Sequence, residues 1–150
     1  MSLVELCDLH ASAVPLSATA AEAIRMMLDR RVGAVGVIDS EQRVAGIFTE
    51  RDVLRKLALS GRDPETTPVR ELMTTPVETA SPQTTPDDAL VSMLEHHFRH
   101  LPVVDPSGRL RGVLSIRNLL HGQMEELRRQ RDSLEHHISS EGPGVPKARD

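Results

Sequence analysis

Apolar residues recur along this chain in two alternating rhythms. From Thr19 onward, Ala20, Ala23, Ile24, Met27 and Leu28 return at helical spacing with Glu22, Arg25, Asp29 and Arg30 between them, which predicts an amphipathic helix packed on one face. An apolar run from Gly33 to Asp39 follows, then the polar Ser40-Glu41-Gln42-Arg43, then a second run from Val44 to Phe48. That order predicts two buried strands joined by a short turn. Thr49 then opens a helix expected to run to about Leu59, where Gly61 stops it.

The same rhythm returns further on. Residues 77–80 read as extended, Pro82 as a turn, and Pro86, Ala89, Leu90, Met93 and Leu94 as a helix whose first position suits proline. Strands are expected at Leu101–Val104 and Leu110–Leu114, joined by Pro106-Ser107-Gly108. A constant shift of 66 positions, from Gly46 to Gly112, superposes the two halves. It aligns Glu5-Leu6 with Glu71-Leu72, Ala23 with Ala89, Met27-Leu28 with Met93-Leu94, Asp39 with Asp105 and Arg51 with Arg117. Such a repeat fixes the architecture: one supersecondary unit, written twice.

The expected division is a first repeat over residues 1–61, a polar linker over 62–68, a second repeat over 69–121, a C-terminal helix over 122–138 and a disordered tail over 139–150. Leu3, Val4, Leu6 and Leu9 form a lead-in equivalent to Val69-Arg70-Glu71-Leu72-Met73, placed to clip each repeat to its neighbour. Past Leu120 the apolar positions Met124, Leu127, Leu134 and Ile138 keep near-heptad spacing, interrupted by Arg131. This helix either packs back on the body or meets a second chain.

The chain has 150 residues, enough to bury about two-thirds of its unfolded surface if the halves pack together. A single cysteine, Cys7, excludes an intramolecular disulfide framework and suits a reducing cytosol. No basic, apolar leader opens the chain and no run approaches a membrane span, so a cytoplasmic protein is expected. A net charge of -4 and the lack of Trp and Tyr argue against a nucleic-acid partner.

Chemistry concentrates in the twinned segment Gly46-Ile47-Phe48-Thr49-Glu50-Arg51-Asp52 and Gly112-Val113-Leu114-Ser115-Ile116-Arg117-Asn118. Thr49 with Asp52, and Ser115 with Asn118, fit helix caps in which a hydroxyl and a polar side chain three positions on satisfy each other's backbone N–H groups. A helix start at the end of a strand also offers N–H donors and positive potential to a phosphate, and a carboxylate there accepts the hydroxyls of a ribose. The doubling of the whole constellation favours a ligand site over a cap alone.

With Arg99-His100-Leu101-Pro102-Val103-Val104-Asp105 and Val69-Arg70-Glu71-Leu72-Met73, these two segments give the chain its resemblance to a tandem pair of cystathionine-β-synthase (CBS) domains, a Bateman module. The resemblance implies a mixed α and β fold: two β-α-β-β-α units related by a pseudo-two-fold axis, with two clefts between them. In the family such clefts commonly bind AMP, ADP, ATP or S-adenosylmethionine, and such pairs usually sense or regulate and do not catalyse. Carried over by position, Thr49, Asp52, Arg51 and Ile47 would form one site with Arg99 and His100. Ser115, Asn118, Arg117 and Val113 would form the second.

The second site departs from the family pattern, since Asn118 replaces the usual aspartate and Gly33-Ala34 stand where Arg99-His100 would be matched. One competent and one weak or empty cleft are therefore expected. The histidines His96, His97 and His100 carry no nearby cysteine or carboxylate pair and read better as a surface cluster than as a metal site. No base is visible beside Thr49 or Ser115, so no enzyme is expected. The expected partners are an adenosyl ligand, a second copy of the chain and an effector protein. The competing reading is a docking module that has lost its ligand.

Overall fold

Two hydrophobic cores, each closed by a segment from the other end of the repeat order, define the architecture. The structure, a computed structural model, describes residues 2–7 and 13–140, the last two by backbone alone. In chain order the elements are α1 (Leu3–Leu6), β1 (Ala13–Pro15), α2 (Ala20–Arg30), β2 (Ala34–Ile38), β3 (Val44–Thr49) and α3 (Glu50–Asp52). After α3 come a π-helical turn over Val53–Leu57 and a 3-10 turn over Val69–Glu71. The second half then supplies α4 (Pro86–His96), β4 (His100–Val104), β5 (Leu110–Ser115) and α5 (Ile116–Ser140).

The helices start where a side chain can satisfy their free N–H groups. Thr19 accepts from the Glu22 N–H at 3.2 Å while the Glu22 carboxylate accepts from the Thr19 N–H at 3.2 Å, and Thr85 caps α4 with Pro86 behind it. Both helices close on a left-handed residue at matched positions, Arg31 at φ 55° and His97 at φ 58°. The hairpin turns match as well, with Gln42 at φ 65° and Gly108 at φ 87°. In each turn an aspartate, Asp39 or Asp105, accepts from the N–H groups two and four residues on. The duplication is therefore kept in the backbone, below the level of side-chain identity.

In the first sheet β1 lies parallel to β2, with Val14 opposite Val37, and β2 lies antiparallel to β3, with Gly36 opposite Ile47. In the second sheet β4 and β5 pair in the same register, Pro102 opposite Val113. The sheets meet through their turns: the Val44 N–H donates to Gly108 O and the Leu110 N–H to Gln42 O, both at 3.1 Å. These two bonds exchange under the 66-residue shift, so they mark the pseudo-two-fold axis.

The lead-ins cross over. Leu3 and Cys7 pack into the second repeat with Ala89, Met93, Leu101 and Leu114, whereas Val69 and Leu72 pack into the first with Val14, Ala23, Met27 and Phe48. Leu9 lies outside the described residues, as does the expected tail from residue 141 on.

Two features differ from the sequence expectation. The strand expected over residues 77–80 contracts to one bridge, in which the Ala80 N–H donates to Pro102 O and the Val104 N–H to Ala80 O. The next rung would need an N–H from Pro102, which has none. The helix expected from Thr49 to Leu59 turns π-helical at Val53, with the Ala58 N–H donating five residues back to Val53 O at 2.8 Å. Past Leu120 the helical pattern continues, as expected, and α5 runs unbroken from Ile116 to Ser140.

Gly46 lets β3 approach the segment after the 3-10 turn: a Cβ there would lie 2.6 Å from Met73 Sδ and 2.9 Å from the Thr74 carbonyl oxygen. Gly46→Ala is expected to lower the unfolding free energy by roughly 1–3 kcal/mol, because backbone must move to admit it. An unchanged urea midpoint would contradict this packing.

Candidate ligand site

The end of β3 and the start of α3 open onto a cavity of about 620 Å³ between the repeats. Ile47, Thr49, Arg51 and Asp52 line it from the first repeat, Arg99 and His100 from the second, and Thr74, Pro76, Val77 and Glu78 from the segment joining them. The structure thus brings together all six residues expected in the first site. Backbone bonds hold the two sides in place: the Glu50 N–H donates to Gly33 O at 3.1 Å, and its repeat image, the Ile116 N–H, to Arg99 O at 2.8 Å. Thr74 pairs with Ile47 in both directions, at 2.7 and 3.1 Å, which ties the joining segment to the cavity wall.

Asp52 is the buried charge of this site, with a relative exposure of 5%. Its Oδ2 accepts from the Thr49 N–H at 3.0 Å and the Thr49 hydroxyl at 3.2 Å, completing the cap. Its Oδ1 accepts from the Thr74 hydroxyl at 2.9 Å and faces Lys56 Nζ at 3.1 Å. A carboxylate offers about four acceptor directions, and here each oxygen has two partners.

Around this centre stand Arg51, Arg55, Lys56 and Arg99, against the carboxylates of Glu50, Asp52 and Glu78. Arg51 Nη1 donates to His97 O at 3.3 Å, a link from one repeat to the other. The His100 ring lies over Gly33, where a Cβ would come within 3.2 Å of its Cε1 and Nε2. Glycine at position 33 therefore has a purpose in the first site besides being a missing arginine in the second. His96 is held by Glu78 at 3.3 Å, by Ser92 O at 2.9 Å and by the Phe98 ring, whose centroid is 5.9 Å away. Among the described residues, no three His, Cys, Asp or Glu side chains converge as metal ligands.

The residues expected in the second site lie at the β5–α5 junction. Ser115 Oγ accepts from the Asn118 N–H at 3.0 Å, Arg117 is exposed, and Val113 is buried against Ala34 and Ile47 between the sheets. None of the four lines the 620 Å³ cavity. The position matching Thr74 is Asp8, outside the described residues.

Sequence reasoning missed Lys56, Thr74, Arg55 and the acidic Glu78. Lys56 stands four residues after Asp52 on the same helical face, a usable signal that its place in an exposed stretch concealed. Thr74 belongs to an irregular segment with no periodicity to read.

Burial lowers the His100 pKa from its ordinary 6.5, and the neighbouring Arg99 charge adds to the effect. As the pH falls through 6.5 the unfolded chain takes up a proton that the folded chain resists, so stability declines from there down to the folded pKa. Urea midpoints at about pH 7.5 and about pH 5.5 should therefore differ less for His100→Gln than for the unsubstituted chain, and equal differences would contradict this environment.

Comparison with known proteins agrees with this architecture. The family profile of the CBS domain matches residues 8–59 and 69–125. An uncharacterized 17.7 kDa protein of Acidianus ambivalens is 42% identical over 107 residues, covering 71% of this chain and 63% of its own. The mitochondrial CBS domain-containing protein CBSX3 of Arabidopsis thaliana is 36% identical over 119 residues, covering 74% and 57%. The chain thus spans about three-fifths of the length of these curated relatives. The solved structure of a protein with CBS domains from Burkholderia ambifaria is similar at a TM-score of 0.74 and 32% identity, covering 83% of this chain and 95% of that one. With both repeats matched in sequence and in fold, this chain belongs to the CBS-domain family and carries two of its domains in tandem.

Proposed function

We propose that this CBS pair is a cytoplasmic sensor that binds one adenosyl ligand (AMP, ADP, ATP or S-adenosylmethionine) in the Asp52 cleft and passes its state to another protein. CBS pairs are commonly regulatory, ligand-binding modules. The observation that carries the reading is a buried carboxylate at a helix start, faced across the cleft by Arg99 and His100 of the other repeat. Asp52 suits a ribose, Ile47 and Val77 offer apolar walls to adenine, and the arginines suit phosphate. Four cations against three carboxylates favour a ligand with few phosphates.

Calorimetric titration with the four candidates, after stripping of any co-purified nucleotide, should give one site per chain. Asp52→Ala should weaken binding about 100-fold, since two or more charge-assisted bonds are lost, while Asn118→Ala should leave it within about twofold. Two equal sites, or an indifferent Asp52→Ala, would overturn the asymmetry. Silence from all four ligands would favour the docking reading.

Signalling requires a state that the ligand prefers, and another chain to feel the difference. The docking reading draws on α5, which packs on the body through buried Leu119 and the Gln123–Asp87 hydrogen bond at 2.7 Å and then leaves it. Leu127, Leu134 and Ile138 are 64%, 63% and 70% exposed, so the alternative of packing back on the body does not hold for this half. A second copy, meeting along this seam, is the partner that the near-heptad spacing suits. Leu134→Asp should shift the sedimentation coefficient toward monomer and leave nucleotide binding unchanged. An unaltered coefficient would remove α5 from the contact.

A further inference from the structure

Asp52 meets any ligand with its acceptor positions already taken. The two Thr49 contacts belong to the helix cap, so an arriving ribose must displace Thr74 or Lys56 from Oδ1. Lys56 is the partner with somewhere else to go. Its ammonium has three donors, and besides Asp52 it reaches Leu72 O at 3.0 Å and Met73 O at 3.4 Å. Its side chain is 40% exposed and lines the same cavity as Arg99 and His100.

The repeat supplies an independent observation. Under the 66-residue shift Asp52 corresponds to Asn118 and Lys56 to Gly122, so the acid and the base are present together in one half and absent together in the other. In the second half an apolar contact fills the slot: a Cβ on Gly122 would lie 2.4 Å from Leu6 Cδ2, and Leu6 is the image of Leu72. Charge is removed there as a pair, as expected if Lys56 answers to Asp52.

We infer that Lys56 is a displaceable counter-ion that makes the cleft selective for nucleotides over nucleosides. In the empty cleft it neutralises Asp52. When ribose hydroxyls take Oδ1, the released donor turns to the ligand's phosphate, and the other two keep their hold on the 72–73 carbonyls. A nucleoside breaks the Asp52–Lys56 pair and offers nothing in return. The inference rests on the adenosyl reading of the cleft and adds to it both a specificity-determining residue and a route by which occupancy reaches the segment joining the repeats.

The test is paired titration of the full chain with AMP and with adenosine. The unsubstituted chain should prefer AMP by at least about 30-fold, and Lys56→Met should reduce that preference by about tenfold, with AMP weakened and adenosine unchanged or tightened. A merely structural Lys56 would weaken both ligands alike, and an unchanged preference overturns the inference. If Lys56→Met proves unstable by urea midpoint, Lys56→Gln, which is neutral yet can still hydrogen-bond to Asp52, reads the same ratio. If the unsubstituted chain binds neither compound but does bind ADP, ATP or S-adenosylmethionine, the Lys56 role is rejected and the adenosyl reading stands; if none of these binds, both fail. AMP binding with an unchanged ratio in the variants rejects the Lys56 role alone.

Discussion

A carboxylate buried as deeply as Asp52 must be fully satisfied, and the surroundings of the cleft follow from that requirement. Thr49 supplies two contacts because β3 ends where α3 begins. Thr74 supplies a third because the joining segment runs beside Ile47, and Gly46 gives it room. Lys56 supplies the fourth from the turn that follows α3. These three segments are held together by the crossed lead-ins, since Val69 and Leu72 anchor the start of the second repeat in the core of the first. The Asp52 cleft and the joint between the repeats are thus one piece of structure.

Duplication explains the frame, and divergence explains the chemistry. Left-handed caps, hairpin turns, aspartate loops and the Glu50 and Ile116 bonds are kept in both halves because each serves backbone closure. Of the cleft's charged groups Arg51 is kept, as Arg117, but four other polar groups are not. Asp52, Lys56, Arg99 and His100 stand against Asn118, Gly122, Gly33 and Ala34. Two of the replacements have positive packing roles: Gly33 receives the His100 ring and Gly122 receives Leu6. The residue that leaves the second half without an arginine at position 33 is thus the one that makes room for the His100 ring.

Much of this could be read in the sequence. The 66-residue shift located both hairpins and both capped helices, because periodicity and capping are local signals, and the family resemblance pointed to six of the residues that line the cavity. What stayed hidden depends on partners distant along the chain. The lost strand at residues 77–80 turns on the missing N–H of Pro102, and the contact of Thr74 with Asp52 spans 22 positions through a segment of no regular structure. The π-helical turn after Asp52 has no sequence signature comparable to a cap.

Two halves alike in fold and unlike in charge should respond unequally to a ligand. Amide chemical shifts recorded during addition of AMP test it residue by residue. Saturable shifts are expected in residues 47–56, 74–78 and 96–100, with those of 113–122 unmoved. Equal shifts in both groups, or shifts centred on Ser115 and Asn118, would contradict it.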